Sequence, residues 1–148
     1  MNTLRLNNVK FRWPKEDLLF LKKVESSLFN LSLNNAFPKQ NLEEIADISY
    51  LCFSELAELN LKGNGLMQIR GIEKLCKNIT VLDLTGNKIF SVEAIEELHK
   101  LENLAEISFK DNPVCVHKHL QEMVSQVVPS IEMVNHESIH ESGHRFKI

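Results

Sequence analysis

Two stretches decide the reading: LAELNLKGNGLMQI, Leu56–Ile69, and ITVLDLTGNKIFSV, Ile79–Val92. Aligned, their apolar positions coincide: Leu56, Leu59, Leu61, Leu66 and Ile69 fall against Ile79, Leu82, Leu84, Ile89 and Val92. Asn64 falls against Asn87. The period is 23 residues, measured from Leu59 to Leu82 or from Asn64 to Asn87, which is the spacing of stacked structural units. Alternation in Leu59-x-Leu61 predicts a short strand with one face in the core. The asparagine sits where the chain turns away from that strand. Turned inward, its amide can pair with backbone groups that the turn leaves open. The i, i+3 spacing of Leu66, Ile69, Ile72 and Leu75 predicts a return along a helical or 3₁₀ segment. One unit cannot bury its own apolar side, so neighbours are required.

The pattern L-x-x-L-x-L-x-x-N-x-L is the leucine-rich repeat signature, and the neighbours are present. Leu104, Ile107, Phe109 and Asn112 repeat it 25 residues downstream, with Ser91 as an N-cap and Val92, Ile95, Leu98 and Leu101 as a helical stripe between. Upstream, Leu31 precedes Leu59 by 28 residues and Leu4 precedes Leu31 by 27, with Ala36 and Val9 where asparagine is expected. The longer early repeats leave room for α-helices: one near Pro14 with Leu18, Leu21, Val24 and Leu28 on one face, another with Leu42, Ile45, Ile48 and Leu51 or Cys52. Tighter segments are expected later. At the far end, Pro113 breaks the pattern and Val116, Leu120, Met123, Val124 and Val127 form a stripe suited to cover the last repeat. Pro129 stops that helix, and Ile131 with Val134 supplies a final strand-like pair.

The expected fold is therefore α/β: a leucine-rich repeat solenoid, a right-handed α/β horseshoe with a concave parallel β-sheet and a helical C-terminal cap. It is read as a single domain over 1–148, with degenerate helical repeats over 1–55, regular repeats over 56–112, the cap over 113–135 and a polar tail over 136–148.

These residues resemble a known family. LxGNxI occurs twice, followed by NPVC, a helix and VPSIEMVN. The arrangement is similar to the intracellular leucine-rich repeat family of the phosphatase-regulator type, with its C-terminal cap motif, over residues 56–135. The long first repeats also resemble the repeat domain of mRNA export receptors. The chain departs from the family's cap at His119, where Tyr is usual, and at Asn135-His136, where Asp-Gly is usual. The resemblance implies a protein partner on the concave face.

Composition narrows the function classes. A net charge of −3 gives no whole-protein field for nucleic acid or an anionic membrane, and no apolar run approaches the roughly 20 residues a bilayer span needs. MNTLRLNNVKFRW has no apolar core of the kind a secretory signal carries, so the protein is read as intracellular, in cytoplasm or nucleus. Cys52, Cys76 and Cys115 are odd in number and widely spaced, and are read as reduced, buried thiols. No catalytic arrangement, phosphate loop or paired-cysteine metal motif occurs, so the reading is no enzyme, no cofactor, no metal site and no small-molecule substrate.

The candidate site is the set of strand residues that alternate with the buried leucines. It comprises Arg5; Ser32 and Asn34; Glu58, Asn60 and Lys62; Val81, Asp83 and Thr85; and Glu106, Ser108 and Lys110, flanked by Thr3, Asn7 and Asn30. Glu58 and Glu106 lie toward one side and Lys62 and Lys110 toward the other, a dipolar surface suited to a helix or loop of another protein. The expected function is a non-catalytic protein–protein interaction module or adaptor. The alternative is a nuclear RNA-export or RNA-processing adaptor, for which Trp13 with Lys10, Arg12 and Lys15 could stack a base. The first repeat's need for a lid favours packing of Trp13 instead. His136, His140 and His144 are spaced four apart but belong to a polar tail, and His117 and His119 are read as surface residues.

Overall fold

The computed structural model describes residues 2–38 and 42–139. Seven strands follow one another in a single sheet in chain order: β1 (Asn2–Arg5), β2 (Leu28–Ser32), β3 (Glu58–Asn60), β4 (Val81–Asp83), β5 (Glu106–Ser108), β6 (Met133–Val134) and β7 (Glu137–Ser138). Pairing is parallel through β6, and β7 folds back antiparallel on β6. The register runs Leu4, Leu31, Leu59, Leu82, Ile107, Val134, so equivalent repeat positions lie side by side. From Leu31 onward that row is buried, and the core is one continuous apolar cluster from Leu18 to Val134, with Phe37, Phe53 and Phe109 its largest members.

Asparagine does what its place in the repeat predicts. The Asn64 Oδ1 accepts the amides of Ala36 and Phe37, and its Nδ2 donates to the carbonyls of Leu33 and Leu61. Asn87 accepts from Asn64 N and Leu66 N and donates to Leu61 O and Leu84 O. Asn112 accepts from Ile89 N and donates to Leu84 O and Phe109 O. All three are buried. Each ties its own turn to the layer before it, satisfying backbone groups that water cannot reach.

The return segments differ from expectation. Among the described residues, the early repeats carry α1 (Pro14–Asp17) and 3₁₀ turns at Leu19–Lys23 and Ile45–Ile48 in place of the longer helices expected. The later segments are α2 (Ile72–Leu75), α3 (Glu93–Glu97) and α4 (Leu120–Val127), the longest. Leu42, Ile45, Ile48 and Leu51 recur every third residue, and all four are buried while Cys52 is exposed. The same spacing in Leu66, Ile69, Ile72 and Leu75 runs into α2, so spacing alone does not set the type of turn. Val24 ends its turn exposed, and Leu28 already belongs to β2. Pro14 opens α1 as expected, with the Asp17 carboxylate accepting the Arg12 and Trp13 amides. Ser91 likewise accepts the Glu93 amide at the start of α3.

Several side chains are placed otherwise than the sequence suggests. Trp13 is 62% exposed and is no lid. Val116 is 82% exposed, because Pro113–Val116 is a 3₁₀ turn and α4 starts only at Leu120. Of the three free thiols only Cys76 is fully buried, and burial pushes its pKa far up, toward the neutral thiol. The tail begins with β7 rather than a frayed end, with Ile139 packed on the core. His140 and His144 lie outside the described residues.

Candidate partner-binding face

The strands point alternate side chains to opposite faces. One face meets the core, and the other carries two rows fixed by the strand register. The first is Thr3, Asn30, Glu58, Val81, Glu106 and Met133, and the second is Arg5, Ser32, Asn60, Asp83 and Ser108. Asn7, Asn34, Lys62, Thr85 and Lys110 follow two positions on. The face read from the sequence is thus one contiguous surface, and its members divide by what they already bond.

One group is held within the fold. Ser32 is buried and donates to Asn7 Oδ1 at 2.7 Å, and the same oxygen accepts the Asn34 amide. Asn34 Oδ1 in turn accepts the Lys62 amide. Asp83 Oδ1 accepts from Thr85 through both amide and hydroxyl, Thr85 Oγ1 meets Ser108 Oγ at 2.8 Å, and Ser108 Oγ accepts the Lys110 amide. Lys62 Nζ stands 3.6 Å from Asp83 Oδ2. These links run from strand to strand and fix side-chain directions.

The second group is open. Arg5, Glu106 and the Lys110 ammonium have no side-chain bond among the described residues, and Glu58 has only Asn30 Nδ2, at 3.1 Å. The Asn60 amide makes no hydrogen bond, and its Oδ1 is buried without a partner, a desolvated acceptor of the kind native structures rarely leave unsatisfied. Asn60 lies in a depression of about 240 Å³ walled by Arg5, Asn30, Ser32, Glu58, Val81 and Asp83. A smaller hollow of about 30 Å³ adjoins it across Val81 and Asp83 and adds Glu106, Met133 and His136. Met133 and His136 were not singled out from the sequence as face residues. The available signal was the alignment of Val134 with Ile107, which sets Met133 beside Glu106.

Away from this face, Glu73 Oε2 is the other buried side-chain atom without a hydrogen-bond partner among the described residues. A cavity of about 410 Å³ at the turn edge is lined by Gly63, Asn64 and Gly86 with Lys88 its one charge, and the Gly63, Gly86 and Lys88 amides are already bonded to Thr85, Lys110 and Leu66 carbonyls. On the opposite side of the layers, Arg70 pairs with Glu44, which holds its guanidinium more firmly protonated. Lys100 bridges Glu73 and Glu97. No helix among the described residues is long and apolar enough to cross a membrane.

A parallel sheet in chain order, with leucine rows in register and an inward asparagine at the turn, defines a leucine-rich-repeat-like α/β fold. Solved structures agree. The chain superposes on a chain of the Drosophila melanogaster SNF/U2A' complex with a TM-score of 0.73 at 19% identity, covering 96% of this chain and 78% of that one. It also superposes on a chain of the Chaetomium Mex67:Mtr2 subunits with a TM-score of 0.57 at 15% identity, covering 99% and 88%. No protein-family model matches the chain.

Proposed function

We propose that this chain is a non-catalytic protein–protein interaction module, an adaptor whose open sheet face binds another protein. In this reading the layers form a horseshoe, the sheet is its concave side, α4 with the turns around it is the C-terminal cap, and the protein acts inside the cell, in cytoplasm or nucleus. The carrying observation is the Asn60 side chain, whose buried Oδ1 has no partner and which lines a depression together with Arg5, Glu58 and Asp83. A partner group that reaches this amide satisfies a buried acceptor while meeting charge of both signs, and such desolvated polar contacts set register and specificity. The two solved structures named above are of protein complexes, which supports a binding role over a catalytic one.

The residues best suited to a test are the open ones. Reversing Asp83 would break its bonds to Thr85 and Lys62 and confound binding with folding. Glu58→Lys combined with Glu106→Lys removes only one exposed strand-to-strand bond, from Asn30 to Glu58, and leaves the Asp83, Thr85 and Ser108 network intact. Affinity purification from cells, comparing wild type with this double variant, should show a partner lost about tenfold or more from the variant. Partner recovery unchanged by the double variant would refute binding at this face.

A further inference from the structure

A second surface is built into the first layer, away from the sheet face. Eight large apolar side chains are exposed in the described chain, and six of them, Val9, Trp13, Leu19, Phe20, Val24 and Phe29, fall within residues 9–29. The other two, Phe90 and Val116, are distant in sequence from these and from each other. Single exposed apolar residues are ordinary, whereas a concentration of this kind marks a covered surface. Val9, Trp13, Leu19, Phe20 and Val24 belong to the layer that β1 opens, and Phe29 to β2 beside it. β1 is at the end of the sheet, paired only with β2, so no described layer stands on the outer side of the first.

The charge around these residues says what covers them. Residues 1–29 hold six lysines and arginines against three acids, a stretch at +3 in a chain whose net charge is −3, which leaves the remainder at −6. The acids there are largely occupied. Asp17 accepts the Arg12 and Trp13 amides, and Glu25 accepts the Cys52 amide and pairs with Lys22 at 3.3 Å. Apart from Arg5, which belongs to the sheet face, Lys10, Arg12, Lys15 and Lys23 have no carboxylate partner among the described residues. We propose that this end of the molecule docks a segment of a partner protein that alternates acidic with large apolar side chains, engaging Trp13, Leu19 and Phe20 through its apolar groups and Lys15 and Lys23 through its carboxylates.

Two other anionic occupants fit less well. Trp13, Phe20 and Phe29 have π faces, but Val9, Leu19 and Val24 of the same set have none on which a base could stack, and a chain at −3 gives no whole-protein attraction for a phosphate backbone. The local elements are a four-residue helix and a 3₁₀ turn, which present no continuous amphipathic helix to a lipid surface. The site is independent of the sheet face, so either can fail without the other.

The test selects phage-displayed random peptides on the full-length chain and measures the binding of synthetic copies of those enriched. The same chain is assayed against oligouridylate and against phosphatidylcholine vesicles containing phosphatidylserine. Enriched peptides should combine Asp or Glu with Leu, Phe or Trp. Their affinity should fall about tenfold or more with Phe20→Ser and with Lys23→Glu, remain unchanged with Glu58→Lys, and exceed that for oligouridylate and vesicles. Both substitutions are at exposed positions, and an unchanged melting midpoint for Lys23→Glu separates binding from folding. Absence of enrichment, peptides lacking acids, affinities indifferent to both variants, or tighter retention of oligouridylate or vesicles would each overturn the proposal.

Discussion

Layers 56–112 and layers 2–55 share one repeat pattern, but they are fastened differently. Asn112 reaches back to the layer of Asn87, Asn87 to that of Asn64, and Asn64 to that of Ala36. There the series ends, because Ala36 has no amide to offer the layer of Val9. The first layer is joined instead by strand pairing, by Asn7 on the sheet face and by the Phe11 amide to the Ala36 carbonyl. Its strand leucines, Leu4 and Leu6, are only partly buried, whereas Leu59 and Leu61 are fully so. Where the asparagine is present, the period stays at 23–25 residues and few large apolar groups are exposed. Where it is absent, the period stretches and the apolar surface opens. The same motif thus yields a rigid centre and a looser, more accommodating end.

The largest expected effect breaks the buried series. Asn64→Ala strands the Ala36 and Phe37 amides and the Leu33 carbonyl in the core, a loss of at least about 3 kcal/mol at roughly 1–3 kcal/mol for each of the three unsatisfied buried groups. Urea unfolding should show it, with a strongly lowered midpoint. Next, Leu59→Ala should cost about 3 kcal/mol through transfer and cavity terms, while Leu4→Ala, at a partly exposed position, should cost about 1 kcal/mol. Equal losses at the two sites would mean that the first layer is as tightly built as the third.

Tyr50 offers a smaller probe of the junction between these regions. Its hydroxyl donates to the Pro14 and Lys15 carbonyls, and burial together with Glu16 and Asp17 raises its pKa above the ordinary 10.0. A group whose folded pKa is raised stabilises the fold fully below its unfolded pKa, and the contribution is lost as pH climbs through the folded value. Tyr50→Phe should therefore lower stability by about 1 kcal/mol at neutral pH and remove part of the decline in melting temperature above pH 10.0. Thiol labelling gives the mildest test. Cys52 should react first, Cys115 more slowly, and Cys76, buried and held neutral, only on unfolding. Early modification of Cys76 in the native protein would show that the centre opens more readily than its bonding indicates.

The regular half was legible because period, strand alternation and asparagine all agree there. The register on Leu59, Leu82 and Ile107 and the inward turn of Asn64 follow from residue type alone. The choice between 3₁₀ turn and α-helix was not, since an apolar stripe at i, i+3 fits both and the length of the return depends on how far the chain must travel to the next strand. Trp13 was misplaced because whether a first layer wears a lid depends on its partners in space. On the sheet face, alternation identified which residues point outward, but not which are tied to neighbours. That Asp83, Thr85 and Ser108 form one network while Asn60 stands unbonded emerges only when strands from four repeats are set side by side.

The account rests on a division between residues that hold the layers and residues that bind. The most direct test measures thermal stability and partner capture together for Asn64→Ala and for the Glu58→Lys, Glu106→Lys double variant. The division predicts that Asn64→Ala melts far lower and loses capture only to the extent that it unfolds, while the double variant melts as wild type and loses capture about tenfold or more. A double variant that captures normally, or an Asn64→Ala protein that melts unchanged, would contradict it.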